Sequence, residues 1–379
     1  MKGKRNMTMW LIIMWVTLVI TGMALVYLCG RMIKFGCVLK LTGNDPKCQA
    51  MICGITVFGI FALIGATMHF MNAIVCAVYF AMIWIVCDLC FWLWQKICRC
   101  TFKRYYAGAT AIILSIAALS CGWYLDHHVW QTNYTLTTDK NIENLKIAMF
   151  ADSHIGTTFN ADGFAKHIAE IQKQNPDMVV IVGDFVDDDT TLENMLASCK
   201  ALGTLQTKYG VYFVFGNHDK GYYGAERRGF ASGELIAELE KNGVKVLRDE
   251  TALINDMLYV IGRRDFSVER EQRGNRKSMA DLLSDLDKEK YVLVLDHQPT
   301  DYKNQAEAKV DLVVSGHTHG GQLFPFNYVG KWIDANDAIY GHERRGQTDF
   351  IITSGISDWA IKFKTGTKSE YVIINLRKQ

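Results

Sequence analysis

Charge of one sign is what this chain most lacks. Its 41 Lys and Arg stand against 39 Asp and Glu, a formal net charge of +2 over 379 residues. A protein that neutralises a phosphate backbone needs a basic excess, so no nucleic-acid partner is expected. Cysteine is nearly missing from the later two thirds. Ten of the eleven (29, 37, 48, 53, 76, 87, 90, 98, 100 and 121) precede residue 122, and only Cys199 follows. The later part therefore has no internal disulfide framework, which suits a cytoplasmic face or a bacterial exterior. No internal repeat or low-complexity tract interrupts it.

Apolar residues are abundant, making up half of the chain, and they crowd into the first 125 positions. Four runs, about 9–29, 50–70, 73–94 and 106–125, each approach the roughly 20 residues that cross a bilayer core. They are almost free of charge, and Trp and Tyr stand near several ends, as interfacial residues do. The first run is too long for a simple signal peptide, and three more follow it. A multi-pass integral membrane protein in contact with membrane lipids is expected.

Loop charges suggest an orientation. Arg31, Lys34, Lys40 and Lys47 follow the first run, and Lys96, Arg99, Lys103 and Arg104 precede the fourth. Placing these eight in the cytoplasm, against Lys2, Lys4 and Arg5 of the tail, puts the later part outside the cell. The tail argues the other way. Asp88 is an unusual carboxylate for a membrane span, near enough to its end to reach the interface. Cys87 and Cys90 read as small packing residues. The polar stretch 126–144 reads as a juxtamembrane linker.

From about 145 onward, apolar runs of strand length alternate with helical patterns. Strands are expected at 145–150, 178–182, 211–215, 258–261, 291–295, 311–314, 350–353 and 371–376, and helices at 164–174, 192–202, 233–241 and 279–287. An α/β domain over 145–379 follows. Its chemically capable residues trail the strands: Asp152 and His154 the first, Asp184 the second, Asn217 and His218 the third. His297 trails the run 291–295, and His317 and His319 trail 311–314. Open α/β sheets collect their sites at that edge, so these segments should converge.

Oxygen and nitrogen donors without a thiolate suit Mn, Fe, Zn or Co rather than a structural zinc site or a calcium loop. The carboxylate of Asp184 can bridge two cations. A pair about 3.5–4 Å apart can bind a phosphoryl group and activate the water that becomes the attacking hydroxide. His218, next to Asn217, is placed to protonate a leaving group, with a nearby carboxylate to hold its ring. The isolated His127, His128, His167 and His342 read as ordinary polar residues.

Five blocks carry a resemblance: Asp152-Ser153-His154, Gly183-Asp184-Phe185-Val186-Asp187, Gly216-Asn217-His218-Asp219, His297 and Gly316-His317-Thr318-His319. Over about 146–376 the chain resembles the calcineurin-like metallophosphoesterases. The ending Gly320-Gly321-Gln322 is similar to the bacterial membrane-associated YaeI/YkuE-like branch. The resemblance implies a four-layer α/β/β/α sandwich, here preceded by a four-helix transmembrane region. It implies two divalent metal ions, the first on Asp152, His154, Asp184 and His319, the second on Asp184, Asn217, His297 and His317. His218 would be the general acid and Asp187 the residue that orients it.

Departures bear on the substrate. Where phosphoprotein phosphatases of this family carry an Arg after the orienting carboxylate, this chain has Asp188, a poor partner for a dianionic monoester. A phosphodiester or pyrophosphate is therefore expected, with the membrane pointing to a lipid or lipid-linked phosphate. Lys362 stands where an Arg would be expected, and Ser369-Glu370 where a Pro-Glu would be. Phe159, Tyr222, Tyr223 and Phe230 offer an apolar rim for a lipid or nucleoside. A UDP-sugar lipid pyrophosphatase or a phosphomonoesterase with the same metal core stays open. So does a membrane transporter or receptor with a phosphate-sensing outer domain.

Overall fold

The structure, a computed structural model, describes residues 2–271 and 274–379, with side chains from Ile12 onward except Arg270. The side chains of Lys2, Lys4 and Arg5, which enter the charge argument, lie outside the described residues. The chain forms two compact units: Met1–Trp123 with Ala360–Lys362, and Tyr124–Trp359 with Phe363–Gln379.

The first unit is helical. Helices α1 (Lys2–Met32), α3 (Pro46–Met68), α4 (Phe70–Cys98) and α5 (Tyr106–His127) are long, and a short α2 (Gly36–Leu41) bridges the first two. A helix satisfies its backbone polar groups within itself, which an apolar surrounding demands. Asp45 caps α3 by accepting the Lys47 N–H at 3.0 Å, and Pro46 occupies its first turn, where a missing N–H costs nothing. Small residues, among them Cys53, Ala77, Ala81 and Ala111, are buried between helices, while Trp15, Val19, Ile55, Leu63 and Ile113 face outward. Among the described residues, four helices are long and apolar enough to cross a membrane: Ile12–Met32, Pro46–Met68, Phe70–Cys98 and Tyr106–His127.

The second unit holds two six-stranded sheets. One runs in the order β1 (Trp130–Thr138), β12 (Glu370–Lys378), β2 (Leu145–Phe150), β3 (Met178–Val182), β4 (Val211–Val214) and β5 (Val244–Val246). The other runs β10 (Gly341–Arg345), β11 (Thr348–Ile352), β9 (Leu312–Ser315), β8 (Tyr291–Leu295), β7 (Leu258–Gly262) and β6 (Glu250–Ile254). Strands β2 to β5 are mutually parallel, as are β7, β8, β9 and β11.

Alternation along the strands explains the layering. Ile147, Met149, Val180 and Val182 share one core with Val260, Leu293, Leu295 and Val314, so the two sheets pack face to face. Their neighbours Ala148, Phe150, Val179 and Ile181 point the other way, onto Phe164, Ile168, Met195 and Leu239. Those residues belong to the helices α6 (Ala161–Lys173), α7 (Leu192–Leu202) and, after the short α8 (Ala225–Arg228), α9 (Ser232–Lys241). On the far side Ile261, Val292, Val294 and Val313 meet Met279, Leu282 and Tyr302 of two further short helices. Strands covered on both faces need continuous apolar runs, and Met178–Val182 is buried throughout. The result is the α/β/β/α sandwich.

One expectation is corrected. Residues 126–144 do not form a linker: α5 continues to His127, and Trp130–Thr138 is strand β1, paired in parallel with β12. Threonine and tyrosine favour the pleated backbone, and an edge strand keeps one side in water, so its sequence is polar without being irregular.

Candidate metal centre

The candidate residues gather beyond the C-terminal ends of five strands, β2, β3 and β4 of one sheet and β8 and β9 of the other. Asp152, His154, Asp184, His317 and His319 all have positive φ, between 37° and 71°. Left-handed backbone is costly for side chains with a Cβ and persists where surroundings impose it, chiefly at functional sites. Space is made by missing side chains. A Cβ on Gly216 would collide with the Asp184 carboxylate, and one on Gly183, itself at φ 81°, would meet the ring of His297.

Two groups of ligand atoms result. Those of Asp152, His154 and His319 lie within 4.8 Å of one another, and so do those of Asp184, His297 and His317. Asp184 lies between the groups: its Oδ2 is 3.1 Å from His297 Nε2 and 3.8 Å from His154 Nε2. Asn217 donates its amide to the Tyr222 hydroxyl at 3.0 Å, and its oxygen is buried without a hydrogen-bond partner among the described residues. The Nε2 atoms of His154 and His297 are also buried without hydrogen bonds of acceptable geometry among the described residues. Buried donors and acceptors are rarely left so, and atoms of these kinds turned toward one place suit divalent cations.

The other ring nitrogen of three imidazoles is tied down. His154 Nδ1 lies 3.2 Å from Asp187 Oδ2, and His297 Nδ1 lies 2.7 Å from the Val182 carbonyl. His319 Nδ1 meets the Ser357 carbonyl at 3.2 Å, with Asp358 Oδ1 2.8 Å away. Such partners fix ring orientation and direct Nε2 inward. His317 stacks edge-on to His297 at 5.2 Å, and its backbone N–H donates to both oxygens of Asp152.

Electrostatics follow burial and neighbours. Burial opposes charge on Asp184, yet the surrounding imidazoles, His297 foremost, hold its carboxyl well below the ordinary range. Burial, with the Asp184 charge added, pushes Asp152 up to about 6. His218 is lowered by burial. Asp219 is buried, which raises its carboxyl, but it accepts backbone N–H groups from Asp184, Phe185, Val186 and Gly216. Four donors leave neither oxygen room for a proton, so we read Asp219 as an ionised brace of both loops.

Two expectations about contacts change. Asp187 does not touch the His218 ring; its oxygens engage His154, Thr157, Thr190 and the Asp189 N–H. The His218 ring instead packs among His154, Tyr222 and Trp359 at 5.0, 5.2 and 5.7 Å between centroids. Asp188 accepts the backbone N–H groups of Tyr222 and Tyr223 and so anchors that loop. Tyr222 and Tyr223 are exposed, as is Trp359, whereas Phe230 is buried and Phe159 packs on the helical side of its sheet, so neither forms a rim. Asp358 and Trp359 were not anticipated. The signal was available, since both follow β11 as the other residues follow their strands.

The calcineurin-like phosphoesterase family profile matches residues 145–321. An uncharacterized metallophosphoesterase of Aquifex aeolicus is 32% identical over 198 residues, 52% of this chain and 72% of that one. Another, of Campylobacter jejuni, is 31% identical over 239 residues, covering 62% and 60%. A Danio rerio protein named "Transmembrane protein with metallophosphoesterase domain" is 28% identical over 248 residues, 63% and 54%. The chain spans about three fifths of the length of the first curated relatives it matches, at 60% and 61%. Together with the four apolar helices, the Danio rerio likeness points to membrane association. The chain belongs to the calcineurin-like phosphoesterase family.

Proposed function

We propose that this protein is a membrane-anchored, dinuclear metal-dependent hydrolase of a phosphodiester or pyrophosphate bond, acting on a lipid or lipid-linked substrate. The observation that carries the reading is the pair of ligand groups with Asp184 between them. Asp152, His154, Asp184 and His319 would hold one cation, and Asp184, Asn217, His297 and His317 the other. Divalent ions of the Mn, Fe, Zn or Co class supply Lewis-acid charge and a water of lowered pKa.

The chain's own residues do the rest. Asp187, the Val182 carbonyl and the Ser357 carbonyl orient the rings of His154, His297 and His319. His218, beside His154, gives a proton to the leaving oxygen. Cations near the His218 loop are already engaged: Arg227 with Asp189, Lys220 with Glu271, and Arg228 with the Asp219 and Phe230 carbonyls. With the acid Asp188, rather than a cation, following Asp187, a diester or pyrophosphate is favoured over a dianionic monoester. Exposed Tyr222, Tyr223 and Trp359 give an apolar margin to its organic part.

The eight loop cations favour four spans with the catalytic unit outside the cell, which protease digestion of that unit in intact cells would test. The activity is tested on purified full-length protein with Mn²⁺, using a chromogenic phosphodiester and the matching monoester beside Asp184→Asn. Diester cleavage lost in the variant is expected. A monoester preference would overturn the substrate reading, and metal-dependent turnover surviving in the variant would overturn the site.

A further inference from the structure

The helical unit contains a half-open cavity of about 510 Å³ at one end of its bundle. Its wall comes from the last turns of α1, from Lys34 just beyond, from the C-terminal half of α4 and from the residues leading into α5. A carboxylate in such a helix is costly unless paired. Asp88 is paired: Arg31 Nε lies 2.9 Å from its Oδ2, the Tyr27 hydroxyl donates to the same oxygen at 2.9 Å, and the Tyr105 hydroxyl donates to Oδ1 at 2.7 Å. Trp84 in turn donates to the Tyr105 hydroxyl at 2.8 Å.

That network consumes Arg31 and the only carboxylate on the wall among the described residues. Lys34 and Arg104 line the same cavity and pair with no carboxylate among the described residues. Lys34 Nζ stands 5.4 Å from the centre of the Tyr105 ring, held at the cavity rather than drawn to a counter-charge. Two uncompensated cations at the end of a membrane bundle attract an anion. The outer face of α4 beside them is apolar: Ile85, Leu89 and Trp92 are spaced four and three residues apart, on one side of the helix, and are 51, 52 and 53% exposed.

We propose that this cavity binds an anionic phospholipid, its phosphate between Lys34 and Arg104 and its acyl chains along Ile85, Leu89 and Trp92. Basic pockets between membrane helices recognise lipid head groups in this way. The inference rests on these helices spanning a bilayer and is independent of the catalytic reading, so its test reads lipid rather than turnover.

Full-length protein is reconstituted in nanodiscs of phosphatidylcholine with a minor fraction of phosphatidylglycerol, and retained lipid is counted by native mass spectrometry. Wild type should retain phosphatidylglycerol preferentially. Losing each cation should cut that preference roughly fivefold, so K34Q/R104Q should lose it about twenty-five-fold. Arg104→Lys should keep most of it. K40Q/K47Q removes equal charge from α2 and the start of α3, the stretch that follows Lys34, without touching the cavity wall, and should leave the preference unchanged. Equal retention of the two lipids in wild type would overturn the proposal. So would an equal loss in K40Q/K47Q, which would mean diffuse surface attraction, and so would displacement of the lipid by inorganic phosphate, which would mean a small-anion site. Helical circular dichroism of each variant guards against misfolding.

Discussion

Asp187 Oδ2 lies 3.2 Å from Nδ1 of His154. The carboxylate that follows Asp184 by three residues therefore braces a candidate ligand, not the candidate acid. Asp187→Asn should weaken metal binding about 10–100-fold, as loss of an outer partner does. The slope of activity against pH that reports the acid should persist once saturating Mn²⁺ restores occupancy. Metal titration with the pH profile separates the two roles; a lost slope at full occupancy would return Asp187 to His218.

Burial pushes Asp152 up to about 6, and a ligand must be deprotonated to bind a cation. Below that pH a proton competes. Apparent affinity at the Asp152 group should fall about tenfold per pH unit below about 6 and level off above it. Calorimetric titration with Mn²⁺ at several pH values checks this, and a flat response between pH 5 and 7 would contradict it.

A general acid works while protonated, and burial lowers His218. The protonated form is lost as pH rises through that lowered value, so the alkaline limb should begin below the ordinary histidine value of about 6.5. It should show with a poor leaving group such as an alkoxide and vanish with p-nitrophenolate, which needs no proton. His218→Gln should slow the poor leaving group by about 10²–10⁴-fold and the good one far less. Equal losses on both would remove His218 from proton transfer.

Lys364 is fully buried and donates to the Ser354 carbonyl at 2.8 Å, the Ser357 carbonyl at 3.3 Å and the Ser369 hydroxyl at 3.1 Å. Asp358 lies 3.8 Å away, equally buried. The ammonium thus pins the loop after β11, which carries the partners of His319. Lys364→Met strands those acceptors and should cost about 3–5 kcal/mol, lowering the melting temperature by at least about 6 °C. A shift under about 2 °C would mean the loop holds itself.

Eight strands were legible as apolar runs, and they are the inner strands of both sheets: β2, β3, β4 and β12, and β7, β8, β9 and β11. The four that were not, β1, β5, β6 and β10, are the four edges. An inner strand is covered on both faces and must be apolar throughout, whereas an edge such as Gly341–Arg345 alternates partly buried with exposed residues and reads as loop.

The sequence by itself determined which residues gather at the site. Asp152, His154, Asp184, Asn217, His297, His317 and His319 each trail a strand, and parallel strands deliver what trails them to one edge of the sheet. Only the tertiary structure decided who supports whom. Asp187 braces His154, Asp358 stands beside His319 from a loop far along the chain, and Asp88 is held by Arg31 and two tyrosines. Ligand placement follows from strand order, which hydrophobic pattern encodes. A hydrogen bond depends on a few tenths of an ångström between side chains distant in sequence, and no local pattern carries that distance.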